Sequence, residues 1–189
     1  LALALAFAGP VAGEAAAASS KANEAATARH YASLIAGESP KMSELTLFFS
    51  RMPKGADLHH HYSGSIYAEQ YLDWIDRQGW CVDKQTYRIE TDKAVVGAQR
   101  ATPLDKRTCL STGDVIADDA TYRELLQRWS TKDFDNHGAV QPPPDSRFFQ
   151  TFGYFGAVSN TNFNEGLLTL KKRAIAENVG YIETMFKSA

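Results

Sequence analysis

The stretch "MPKGADLHHHYSGS" (Met52–Ser65) carries three of the chain's five histidines side by side, and its reading decides the fold. Pro53-Lys54-Gly55 is a turn signal, and the residues behind it read as a short strand that ends in the histidines. Successive strand residues point to opposite faces, so His59 and His61 share one side and His60 takes the other. Neutral imidazole is a good ligand for zinc, and a catalytic zinc uses about three protein ligands plus water. Two imidazoles aimed the same way are therefore half of a metal site, the bland alternative being a surface cluster of histidines.

Outward from that strand, "GSIYAEQYLDWIDRQG" (Gly64–Gly79) reads as a helix, with Ile66, Tyr67, Tyr71, Trp74 and Ile75 near one stripe and Gly79 as its stop. Trp80 to about Gly113 (80–113) holds β-formers and both cysteines, and reads as a small strand-rich insertion. A helix over 118–135 follows, with Asp118 or Asp119 placed to cap it. "NHGAVQPPPD" is a loop, because three consecutive prolines continue neither a helix nor a central strand. Two helical patterns then run to Gly180, and "YIETMF" (Tyr181–Phe186) is an apolar strand. Upstream, Ser20–Gly37 and Lys41–Met52 read as helices, the second with Leu45, Phe48 and Phe49 at helical spacing. His30 and His137 stand alone and are read as solvated or half-packed.

The first residues differ in kind. "LALALAFAGPVAGEAAAA" (1–18) has the apolar core and small-residue cleavage zone of a secretory signal peptide, or else is a disordered Ala-rich leader. Its apolar run is shorter than the ~20 residues a membrane span needs. The expectation is a secreted or periplasmic protein with no membrane span. In such a compartment Cys81 and Cys109 are expected to bridge rather than remain free thiols, closing a loop of ~28 residues and stabilising by ~3–4 kcal/mol on the chain-entropy model. A formal net charge of −2 speaks against a nucleic-acid partner, and "KKR" (Lys171–Arg173) reads as a solvated helix face.

The 189 residues suit one domain, here divided into a signal peptide (1–18), a helical extension (19–51) and a main part (52–189). A helix-rich crossover between two short apolar strands implies parallel pairing. One such unit leaves bare strand edges, which proteins normally cover. The expected fold class is thus α/β: the N-terminal part of a (β/α)8 TIM-type barrel, with extra N-terminal helices and a disulfide-pinned insertion after the first strand.

"MPKGADLHHHYSGS" resembles the first barrel strand of the adenosine deaminase family, in which a Pro-Lys turn precedes L-H-x-H and a Gly. "FFQTFGYF" (Phe148–Phe155) looks like that family's aromatic helix along the purine pocket, and "AENVGYIETMF" (Ala176–Phe186) like its second strand. The leader, the extra helices and the cysteine-bearing insertion are closer to the secreted, growth-factor-like branch. The resemblance implies zinc as cofactor, held by His59 and His61, and a purine nucleoside as partner. Ser63 stands where classical members have an Asp that bonds the ribose, which puts strict adenosine preference in doubt. Phe148, Phe149 and Phe152 would offer stacking surface for a base, or else are ordinary helix core. Hydrolytic deamination is the implied activity. The family's third metal histidine, metal aspartate and acid–base residues have no match, so the expectation is the N-terminal part of a deaminase, inactive alone, with no catalytic residue of its own. Self-association is left open. Two rival readings remain: another amidohydrolase-type metal hydrolase, and a non-catalytic secreted nucleoside-binding or growth-factor-like module.

Overall fold

A computed structural model describes residues 11–136 and 142–185. Part of the leader and His137 lie outside the described residues. The chain divides into two compact units, one through Lys54 and one from Gly55 onward. In the first, α1 (Val11–Ile35) and α2 (Met42–Arg51) are joined by a turn in which Gly37 takes φ 91°, a conformation that favours glycine. Leu34 and Leu45 are buried in this unit, and His30 lies against Phe48 with ring centroids 5.9 Å apart.

The second unit opens with β1 (Gly55–His61), a one-turn α3 (Tyr62–Ser65) and α4 (Ala68–Gln78). On α4, Ala68, Tyr71, Leu72, Trp74 and Ile75 recur at helical spacing and are buried, and Gly79 ends the helix in the left-handed region. Next come β2 (Cys81–Asp83), β3 (Ile89–Glu90), α5 (Lys93–Ala101) and β4 (Cys109–Leu110). The remaining elements are α6 (Thr112–Ala117), α7 (Asp119–Trp129), α8 (Pro144–Thr161), α9 (Phe163–Ala176) and β5 (Val179–Met185). The core of this unit gathers Tyr71, Trp74 and Ile75 of α4 with Val115, Leu125, Trp129, Phe155 and Val158. Tyr71 stacks on Phe155, centroids 4.7 Å apart and planes 15° from parallel, and so ties α4 to α8.

β1 and β5 pair in parallel, as the crossover requires, with His60 opposite Thr184 and His61 opposite Met185. The barrel expectation, however, is overturned. Among the described residues the five strands fall into two separate sheets, ordered β1–β5 and β3–β2–β4, and neither closes. A (β/α)8 wall needs eight parallel strands paired around a ring. Here β2, β3 and β4 are two or three residues long, pair antiparallel and lie in a sheet of their own. The architecture is a mostly helical α/β arrangement with two small open sheets.

The insertion differs from its strand-rich reading as well. It carries the three short strands, but also α5, which Asp92 caps by accepting from the N–H groups of Ala94 and Val95. Cys81 and Cys109 do form the expected disulfide, with Cα atoms 5.6 Å apart. Val96 of α5 is buried against that bridge.

Candidate functional site

The histidines occupy the C-terminal end of β1 and follow the two-residue strand period. His59 and His61 are exposed, and their Nε2 atoms lie 3.1 Å apart. At that distance one ring nitrogen donates to the other when no metal intervenes, the roles depending on tautomer. His60 faces the opposite side, is 8% exposed, and its Nδ1 lies 3.1 Å from the Thr184 hydroxyl on β5. Burial pushes the His60 imidazole below its ordinary value, with Arg173 and His61 adding to the effect and Asp57 opposing it. His60 is thus a packing residue between the sheet and α9. Tyr62, the next buried residue, donates to the carbonyls of Ser159 and Asn162, each at 3.3 Å, and so fixes the chain where β1 ends.

Zinc–nitrogen bonds of ~2.0–2.1 Å at a tetrahedral angle place two nitrogens of one ion roughly 3.3–3.4 Å apart. The spacing of His59 and His61 is within a few tenths of an ångström of that. The spacing of the pair therefore suits two of the four ligand positions of a zinc ion. His59 and His61 supply only two ligands: among the described residues, no group of three or more His, Cys, Asp and Glu side chains is placed to hold a metal.

A second feature is a cleft of ≈ 550 Å³ lined by Gly64, Ile66, Tyr67, Trp129, Phe148 and Phe155, with Glu69, Ser130 and Lys132 also on its wall. Burial alone would raise the Glu69 carboxyl, but its hydrogen bond with the Lys132 ammonium, 2.7 Å away, holds it below the usual carboxylate range. The three phenylalanines singled out in the sequence touch through Phe148, whose ring centroid lies 5.3 Å from that of Phe149 and 5.2 Å from that of Phe152, but they face the cleft differently. Phe148 lines the cleft, and Phe152 lies behind Gly64, where an added Cβ would come within 2.9 Å of its ring. Phe149 is 70% exposed and packs edge-on against Phe148 without lining the cleft itself. Ser63 sits in α3 and offers its carbonyl to the Tyr71 hydroxyl at 2.7 Å. Sequence reasoning missed Trp129, Glu69 and Lys132, and took in Phe155 only as the end of the aromatic helix, without a role of its own. Trp129 and Phe155 are apolar helix positions that periodicity assigns to core, and no local pattern marks them as cleft-lining.

Comparison of the chain with protein-family models, with curated proteins and with solved structures gives no match. The two small open sheets among the described residues correct the likeness to the adenosine deaminase family. The local motifs are present, but among the described residues the strands do not form the barrel that would bring a third histidine, an aspartate and an acid–base pair around His59 and His61. Hydrolytic deamination, the amidohydrolase alternative and the assignment as a metal-dependent hydrolase fall for the same reason.

Proposed function

We propose that the chain is a binding module whose functional centre is the His59–His61 pair, and that its cofactor is zinc. The observation that carries this reading is the 3.1 Å separation of the two exposed Nε2 atoms at a strand end. Borderline-soft zinc suits neutral imidazole, and a pair already at near-chelating separation has little ordering entropy left to lose on binding. The Cys81–Cys109 bridge suits an exported protein, since disulfides persist in oxidising compartments. Calorimetric titration of the whole chain with zinc tests the reading. Heat of binding should be lost in His59→Ala and in His61→Ala, and retained in His30→Ala. A wild-type titration without heat, or one unchanged by either substitution, rules it out.

The aromatic cleft supports a second component of the same reading: a purine nucleoside as small-molecule partner. Its volume lies in the range of ligand sites, and its wall combines Trp129, Phe148 and Phe155 with a few polar groups, the usual recipe for a flat ligand carrying hydroxyls. Stacking on one aromatic ring is worth ~1–3 kcal/mol per base. Phe148→Ala should therefore weaken adenosine binding by roughly 5- to 150-fold, while Phe149→Ala, which removes a neighbour of that ring but no cleft-lining group, should weaken it less. Equal effects of the two substitutions, or no binding to the unaltered chain, would remove the nucleoside from the proposal.

A further inference from the structure

We infer that zinc held by His59 and His61 joins two copies of this chain, each supplying its own histidine pair to one tetrahedral ion. The inference rests on the zinc reading above and adds to it a partner, namely a second copy, and a complete coordination sphere. Structural zinc is almost always four-coordinate with protein ligands, whereas this chain presents two, with no third group among the described residues in position to join them. Two positions on the ion remain, and water or another protein must fill them. A second pair of the same spacing, related by a two-fold axis through the ion, fills both with the same ligand type. Such an isologous contact is the commonest way for identical chains to associate.

The surroundings of the pair favour this occupant. Both imidazoles are exposed, so a second copy can reach them. Leu58, next to His59, is 64% exposed, and Met185, paired with His61 across the ladder, is 39% exposed. These apolar side chains beside the histidines would be covered by the facing copy. Four neutral imidazoles leave the ion's charge of +2 uncompensated, and exposed Glu183, two residues before Met185 on β5, gives each copy a carboxylate on the strand that pairs with β1.

Mass and metal content measured together on the whole chain test the inference. Sedimentation or light scattering should show the 20.8 kDa chain doubling in mass as zinc is added. Metal analysis of the doubled species should give about one ion per two chains, as four-coordinate zinc shared between two pairs requires. A chelator should return the monomer, and His59→Ala and His61→Ala should stay monomeric with zinc present. Because both side chains are exposed, these variants are expected to fold. One zinc per chain in a persistent monomer would overturn the bridge and leave zinc binding by the pair intact. Absence of bound zinc would overturn both readings, and a dimer that survives the chelator or the substitutions would overturn the bridging role of the histidines.

Discussion

Gly166, on α9, decides how closely that helix can approach the end of β1. A Cβ at this position would collide with the Tyr62 hydroxyl and lie 2.6 Å from Cε2 of its ring. Tyr62 has little room to yield. It is 5% exposed, packs on Phe163 with centroids 5.0 Å apart, and donates to two carbonyls of the α8–α9 corner. Burial, with Glu165 adding, pushes its phenol up to about 12, so it stays a neutral donor across the physiological range. Glycine inside a helix normally costs ~0.8–1.0 kcal/mol relative to alanine. At Gly166 the sign should reverse, because overpacking a filled site costs ~1–3 kcal/mol. Gly97 on α5 is the control, since a Cβ there meets nothing within 4 Å. Urea unfolding should show Gly97→Ala more stable than the unaltered chain and Gly166→Ala less stable. If Gly166→Ala gained stability as Gly97→Ala does, the close approach of Tyr62 to α9 would be wrong, and with it the account of what holds His61 in place.

At the scale of elements, what the sequence made legible were features that depend on neighbours in the chain. The alternation of β1 put His59 and His61 on one side and His60 on the other, and the stripe of α4 ended at Gly79. The Phe148/Phe152 pair, four apart, shares a helix face, while Phe149 turns about 100° away from Phe148; that spacing alone could have set Phe149 aside. Two cysteines behind an export-like leader were enough to expect the bridge. Features set by distant contacts were not legible. Val95 and Val96 look like strand residues, yet α5 forms because Asp92 caps it and Val96 buries against the Cys81–Cys109 sulfurs. Gly180 looked like a helix stop, but α9 ends at Ala176, and it is Asn178, at φ 60°, that turns the chain; Gly180 lies inside β5. Asn is among the few residues that tolerate this conformation. The barrel expectation failed for a related reason. A run such as Met52–Ser65 specifies a strand and its end, whereas the number of strands beside it is set by chain far away.

Over the whole molecule, stability should be unevenly spread, because the two sheets of the second unit are held differently. The helices α4, α7 and α8 place Tyr71, Trp74, Ile75, Leu125 and Val158 at full burial, and the disulfide pins β2 to β4 beside them. β1 and β5 have one ladder between them and, among the described residues, no strand on either outer edge. Parallel sheets are normally covered on both faces. Here α9 covers one, while Leu58, Tyr181 and Met185 stay exposed. Two-stranded sheets are marginal in water, and local opening free energies range from about zero to the global value. Hydrogen exchange should therefore find the amides of β1 and β5 opening well before those of α4 and α8. Zinc adds a directional test, because a ligand that binds only the folded arrangement stabilises it by mass action. Its addition should slow exchange at the end of β1 in the unaltered chain and leave α4 unchanged, with no slowing in His61→Ala. Protection of β1 equal to that of α4 without metal would mean that the open sheet is held by more than its one ladder and α9, and that the exposed histidine end is not the mobile element that zinc is proposed to fasten.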